Sequence, residues 1–291
     1  MKQIKKAIGV TGLIAASFVI GCAKKNTEQA SLAKTNFKIS GSSNAATVAK
    51  SGLEYFLSKL MPTAQAGVPS SMISKDNQTV TLSSLWVVLK EIEFKSAETA
   101  GEETEDEKTE GTNFHGPYVA DLLAANPTAL DSQSIPSKTY KRIKMQYEKV
   151  DTSVLLEKAP TAPAALANNS IYMEGSFCST ANCDFTFKLD DGVEIEISGP
   201  NGILATDGQD FLVSIQLANV IRQIDFTVLS VATDKNITHD NRVAGANICD
   251  SIDASASDYY TCIKKGLEKE AKFAKDDDGD GEVDADEESV E

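Results

Sequence analysis

The sequence predicts a mainly β fold: an antiparallel β-sandwich with an N-terminal helix and a C-terminal helical extension. Three observations predict it. Many short segments alternate apolar and polar residues with a period of two, as half-buried strands do. Turn residues such as Gly199-Pro200-Asn201-Gly202 separate those segments. The apolar fraction of 41% is enough for a packed core.

Taken in order, Phe37 to Ser40 reads as a first strand. Ala45 to Leu60 carries Val48, Ala49, Leu53, Phe56, Leu57 and Leu60 at helical spacing, and Pro62 ends that helix. Thr79 to Phe94 is rich in β-branched and aromatic residues. Trp86, Val88, Ile92 and Phe94 read as one face, interrupted by Lys90, with Glu91 and Glu93 on the other. Ser96 to Asn113 is Glu, Thr and Gly with almost no apolar anchor, so it is expected to be a mobile loop. Order resumes at Tyr118 to Leu123. Ile143, Met145 and Tyr147 then alternate with charged neighbours, and Pro160 and Pro163 mark an Ala-rich connector. Ile171 to Phe177 and Asp184 to Leu189 read as a hairpin. Val193, Ile195 and Ile197 alternate cleanly, as do Phe211, Val213, Ile215 and Leu217. Asn219 to Ser230 fits a short helix or a strand. Ser257 to Lys275 reads as the second helix, with Tyr260, Ile263, Leu267 and Phe273 to bury. No internal repeat is evident.

The formal net charge of −15 argues against nucleic-acid binding, which needs a basic surface. The acidity is concentrated in Glu98 to Glu110 and in Glu268 to Glu291, a loop and a tail. Of five cysteines, Cys178, Cys183, Cys249 and Cys262 are an even set once Cys22 is set aside. Outside the cytoplasm they read as disulfides, and closeness in sequence favours Cys178 with Cys183 and Cys249 with Cys262. A four-thiolate zinc site is the alternative.

The first residues say where the protein works. Lys2, Lys5 and Lys6 precede an uncharged apolar run, Ala7 to Ile20. That order is a secretory leader, too short for a permanent membrane span. It closes on Val19-Ile20-Gly21-Cys22, which resembles the lipobox of bacterial lipoproteins. The resemblance implies cleavage after Gly21 and acylation of Cys22, with two or three chains giving a lasting anchor where one alone is marginal. Ala23 in place of Asp implies sorting to the outer membrane, on its periplasmic or surface face. The chain thus divides into a signal peptide (1–21), a flexible tether (22–35) reaching roughly 20 Å, a β-sandwich (36–235), and a helical extension with an acidic tail (236–291).

A second resemblance lies in the body. Val80-Thr81-Leu82 through Trp86 to Phe94, then Asp121-Leu122-Leu123 and Ile135-Pro136-Ser137-Lys138-Thr139-Tyr140, resemble a bacterial lipoprotein domain family. In that family a leucine-rich strand leads into a turn of proline, small residue and tyrosine. The resemblance spans roughly residues 36–230. It implies an immunoglobulin-like or prealbumin-like sandwich of unknown function and carries over no catalytic residue.

One motif carries chemistry. Residues 276–287 fit the twelve-residue EF-hand calcium loop. Calcium takes six to eight oxygens. Asp276, Asp278 and Asp280 would supply carboxylates at the first, third and fifth positions, and Gly281 the sharp turn at the sixth. Glu282 would give its backbone carbonyl, Asp284 would bind through water, and Glu287 would bind with both oxygens. The helix expected over Ser257 to Lys275 would enter the loop. Only Glu288 to Glu291 follow, so this is half an EF-hand, expected to bind weakly, at about 10⁻⁴ to 10⁻³ M.

No constellation of residues predicts an enzyme. His115 and His239 lack a nucleophile elbow or a metalloprotease helix. Glu194 and Glu196 sit on the polar face of an alternating strand. The expectation is an anchored binding or structural module whose partners are the membrane, through its lipid, and an unidentified envelope protein or glycan. A cell-surface carbohydrate- or protein-binding adhesin is the alternative, and an envelope hydrolase stands behind it.

Overall fold

The structure is a computed structural model that describes residues 31–42, 71–96, 112–178, 183–249, 252, 255–277, 279, 281–283 and 287–290. The described residues are mainly β. In chain order the strands are β1 (Leu32–Ser42), β2 (Met72–Ile73), β3 (Thr79–Lys95), β4 (Asn113–Asp121), β5 (Thr128–Pro136) and β6 (Thr139–Tyr147). Helix α1 (Thr152–Lys158) and a 3₁₀ turn (Ala164–Leu166) follow, then β7 (Ile171–Ser176), β8 (Asp184–Leu189), β9 (Val193–Leu204) and β10 (Gln209–Gln216). Two short helices, α2 (Leu217–Arg222) and α3 (Thr227–Val231), precede β11 (Asn236–Ile237), α4 (Tyr259–Lys269) and β12 (Ala271–Lys275).

Two sheets form. One has the order β12-β10-β1-β5. The other runs β11-β8-β7-β3-β6-β9, with β2 and β4 also paired to β3. Phe94 joins them. Its ring centroid lies 5.5 Å from Phe37, 5.6 Å from Phe211 and 5.6 Å from Phe273 in the four-stranded sheet. It lies 5.3 Å from Phe114 and 5.6 Å from Tyr140 in its own sheet. Such edge and tilted ring pairs add to the burial of the rings themselves.

Strand pairing is mixed, which corrects the purely antiparallel expectation. β1 runs parallel to β10, and β11 parallel to β8, while the other pairs are antiparallel. Alternation in a sequence fixes which face is buried but not which strand lies alongside. β1 enters between β5 and β10, whose directions differ, so one of its pairs must be parallel.

The long strand β3 explains the interruption at Lys90. Its register shifts against β7 between Leu82 and Ser84, and against β4 and β6 between Leu89 and Glu91. Each bulge adds one residue and so reverses the parity of the strand. Val80 and Leu82, then Leu85, Val87 and Leu89, then Ile92 and Phe94 therefore reach the same core. Trp86 and Val88 do not share that face. They cover a second, smaller cluster with Leu155, Leu166 and Tyr172, beneath α1 and the 3₁₀ turn.

Other boundaries move for local reasons. β1 begins at Leu32, and Ala33 and Thr35 are buried, so the last four residues of the expected tether belong to the sandwich. The helix expected over Ala45 to Leu60 lies outside the described residues, as does most of the acidic loop, residues 97–111. Asn219 to Ser230 contains most of α2 and α3. α4 starts on Asp258, which accepts the Thr261 N–H at 2.7 Å as an N-cap. It ends at Lys269, not Lys275. Ala271–Lys275 is instead a strand that places Phe273 in the inter-sheet core, so the C-terminal segment supplies a sheet edge as well as a helix.

The cysteines stand in two local pairs at disulfide distance. Cα separations are 5.6 Å for Cys178 and Cys183 and 5.9 Å for Cys249 and Cys262. Among the described residues no three metal-ligating side chains converge, so the four thiols do not gather as the zinc alternative requires.

Candidate functional site

The acidic loop leaves β12, not a helix, and lies on the outer face of the four-stranded sheet. β1 alternates there. Phe37 and Ile39 face the core, while Asn36, Lys38 and Ser40 face outward. Asp276 follows β12 directly, and its N–H donates to Asp210 O on β10 at 3.2 Å. Its carboxylate is fully buried. One oxygen, Oδ2, lies 3.2 Å from Lys38 Nζ, and the other accepts the Gly281 N–H at 3.3 Å. Lys38 also reaches Asp210 at 2.6 Å, and Asn36 Nδ2 donates to the other Asp210 oxygen at 2.6 Å.

This cluster shifts its own charges. Burial works against the Lys38 ammonium, but hydrogen bonds and attraction from Asp210 and Asp276 outweigh it and hold its pKa above the ordinary lysine value. Burial likewise works against ionised Asp210, yet the Lys38 and Asn36 hydrogen bonds bring its pKa below the ordinary carboxylate value.

The far end of the loop returns to the near end. Asp277 N–H donates to Glu287 Oε1 at 3.0 Å. The Ser40 hydroxyl donates to Gly281 O. Gly281 has a φ of +80°, and a Cβ there would meet Pro127 Cγ at 2.3 Å, so only glycine suits both the turn and the contact. The chain then runs back along β12. Lys275 N–H donates to Glu288 O at 3.0 Å, and Val290 N–H donates to Phe273 O at 3.3 Å. Lys275 and Glu288 also form an ion pair, and Val290 is wholly buried.

Calcium can be tested against these residues. Glu287, at the twelfth position, returns to the backbone N–H of Asp277, the residue after the first position. The sixth has the left-handed backbone the turn needs, and Glu282 stands at the seventh with its carbonyl. Asp278, Asp280 and Asp284 lie outside the described residues. Among the described residues no three metal-ligating side chains converge, and the Asp276 oxygens are taken by Lys38 and the Gly281 N–H, so a cation here would compete with Lys38 for one Asp276 oxygen. The expected entering helix is replaced by β12, so the loop closes against a sheet edge rather than within a helix pair.

Lys38, Asp210 and Ser40 were not legible as part of this site. Lys38 is 238 residues from Asp276. The one sequence signal is that Lys38 occupies an outward position on a strand otherwise expected to be buried on its other face.

The histidines stand apart. His115 lies opposite Glu91 across β3 and β4, with Nδ1 3.4 Å from its carboxylate, on an exposed surface. His239 sits edge-on to Tyr260 at 5.9 Å. Glu194 and Glu196 pair with Lys144 at 2.9 Å and Arg142 at 3.5 Å on the outer side of the sheet. An open polar cleft of about 520 Å³ lies nearby, lined by residues that include Lys90, Glu148, Lys149, Asp190, Asp191 and Glu194 and by no histidine. No family model matches the chain, and no curated protein or solved structure matches it.

Proposed function

We propose that this protein is an envelope-anchored lipoprotein, acylated at Cys22, that works as a binding or structural module and binds calcium weakly through residues 276–287. The observation that carries the calcium part is the closure of the loop. Asp276 is buried, its carboxylate takes the Gly281 N–H, and Glu287 returns to the Asp277 N–H. Calcium would neutralise the clustered carboxylates and hold the acidic segment against the sheet; without it, their repulsion would loosen that segment. Support for the anchor is the agreement in register between the leader and Cys22. The reading places the protein at the outer membrane, with an envelope protein or glycan as partner and no catalytic residue.

Two experiments test it. Mass spectrometry of the mature N-terminus is expected to find an acylated Cys22, and an unmodified thiol would end the lipoprotein reading. Calorimetry on the mature chain is expected to give heat at calcium concentrations near 10⁻⁴ to 10⁻³ M, lost in the Asp276→Ala, Glu287→Ala double variant. Absence of heat at millimolar calcium rejects the metal site.

The second reading is a glycan-binding adhesin. What favours it is the open cleft beside Lys90 and Glu148, whose charged and amide groups could bond sugar hydroxyls. A glycan array probed with the mature chain tests it; retention that survives Lys90→Ala and Glu194→Ala would place the sugar elsewhere.

A further inference from the structure

Three chain segments are braced into one end of the sandwich around Ser31. Ser137 N–H donates to Ser31 O at 2.7 Å, and the Ser137 hydroxyl donates to Ala205 O at 2.9 Å. Ala205 N–H donates to Lys138 O at 3.1 Å, Gly208 N–H to Lys34 O at 2.8 Å, and Lys34 N–H to Asp207 Oδ1 at 3.0 Å. The start of β1, the β5–β6 turn and the β9–β10 turn are thus fixed beside one another. Five large apolar side chains stand exposed among the described residues, and two of them are here. Leu32, 65% exposed, lies opposite Pro136, and Leu204, 44% exposed, lies opposite Thr139. Both flank one turn, where an apolar partner would bury them. Segments 31–34, 136–141 and 204–208 also carry three lysines, Lys34, Lys138 and Lys141, against one acid, Asp207, in a chain of formal net charge −15.

The covalent path says what this end faces. Ser31 is nine residues from Cys22, at most about 30 Å of chain. A domain of this size is roughly 45 Å across, so an anchor at Cys22 keeps this end nearer the lipid than the far end. We propose that the end carrying Leu32, Leu204, Lys34 and Lys138 rests on the bilayer that holds Cys22, its leucines entering the headgroup layer and its lysines meeting anionic headgroups. The orientation rests on the lipoprotein reading above. Burying leucine side chains removes apolar area from water, and lysines at an anionic surface add attraction. The tether makes the contact intramolecular, so a surface too small to hold lipid from solution is occupied once anchored. The open cleft that Tyr147 and Val193 help to line is at the opposite end of β6 and β9 from Thr139 and Leu204. This orientation therefore turns the cleft away from the membrane.

The test couples the mature chain to vesicles through its Cys22 thiol and a maleimide lipid, so it does not depend on acylation in the cell. The other four cysteines stand in pairs at disulfide distance. The vesicles contain phosphatidylcholine and phosphatidylglycerol, with or without brominated acyl chains. Leu204→Trp reports on the proposed contact. Leu156→Trp, at an exposed position on α1 beyond the far end of β6, is the control. Emission is read above that of Trp86 in the unaltered chain. Brominated lipid is expected to quench the tryptophan at 204 and to leave the one at 156 unchanged. Lys34→Glu with Lys138→Glu keeps the tether length and is expected to weaken the contact about tenfold or more, the effect of losing two lysines at an anionic surface. Quenching at 204 should then be largely lost. Equal quenching at 204 and 156, or quenching that survives the charge reversal, would assign it to the tether alone and overturn the proposal. A blue shift at 204 without quenching would put a protein surface, such as a second copy of this chain, over the leucines and overturn it as well. If mass spectrometry finds Cys22 unmodified in cells while the coupled chain is quenched as expected, the anchor reading fails and the lipid-binding surface stands. If Cys22 is acylated and quenching is absent, the anchor stands and the orientation falls.

Discussion

Lys38 and Asp276 are 238 residues apart in the chain and 3.2 Å apart in the fold. The contact ties Asp276, the first residue of the acidic loop, to the middle of the four-stranded sheet through an ammonium that also holds Asp210 at 2.6 Å. The site therefore carries its own counter-cation.

A bound calcium ion would share Asp276 with this ammonium and be repelled by it. Lys38→Met keeps much of the side-chain length and removes the charge. At a few ångströms in a partly solvated site the repulsion is about 1–2 kcal/mol, so the variant is expected to bind calcium roughly tenfold more tightly. In chelator the same variant leaves Asp210 and Asp276 without that partner and is expected to unfold at lower denaturant. Calorimetry and urea melts read the two effects. Unchanged calcium affinity would show that the cation does not approach Asp276.

The inter-sheet core has one centre. Phe94 meets aromatic rings from β1, β4, β6, β10 and β12. Phe94→Ala opens a cavity that five flat partners cannot easily fill and is expected to cost about 3–5 kcal/mol. Because both sheets contribute to the ring cluster, urea unfolding is expected to stay a single transition. Separate transitions for the two sheets would contradict the shared core.

What the sequence disclosed follows from what alternation encodes. Val193, Ile195 and Ile197 could be read at once because β9 has no bulge there and each second residue is buried. Lys90 signalled a disturbance in β3, but the shift near Ser83 gave no sign, and the single parity change on either side of Trp86 and Val88 leaves them on the face opposite Val80, Leu82, Ile92 and Phe94. Ala271–Lys275 read as more helix because the helical spacing of Tyr260, Ile263 and Leu267 was carried on to Phe273, six residues further, where that spacing no longer holds. In the fold Phe273 is worth more between Phe94 and Phe211, and β10 offers the backbone partners that a longer helix would forgo. The acidic loop was legible as a motif because its residues are contiguous in sequence. Lys38 and Ser40 were not, since nothing local links β1 to a tail that packs across it.

The two disulfides should differ in what they contribute. Cys249–Cys262 spans 13 residues and ties the segment before α4 to a buried position on that helix, whereas Cys178–Cys183 spans 5 at the end of the β7–β8 hairpin. Loop-closure entropy assigns about 3 kcal/mol to the first and about 2 kcal/mol to the second. Paired Cys→Ala variants are expected to follow that order in urea melts. Non-reducing peptide mapping should recover both pairs, and a crossed pairing would refute the assignment.

Alkaline unfolding should report on the tyrosines. Burial raises the phenol of Tyr172 to about 12, helped by the neighbouring Glu174 carboxylate. Burial also raises Tyr118, Tyr147, Tyr259 and Tyr260 well above the ordinary value, with Asp131 adding to the shift at Tyr118 and Asp191 at Tyr260. In each, the folded state keeps a proton that the unfolded chain releases near pH ~10. The stability linked to these groups is therefore complete below pH ~10 and is lost as pH rises towards the folded values. Phenolate absorbance from these five residues is expected to appear late and steeply, together with loss of the far-ultraviolet β signal. Gradual ionisation around pH ~10 with the β signal intact would mean that these hydroxyls are open to water, which the burial of Tyr147 and Tyr259 forbids.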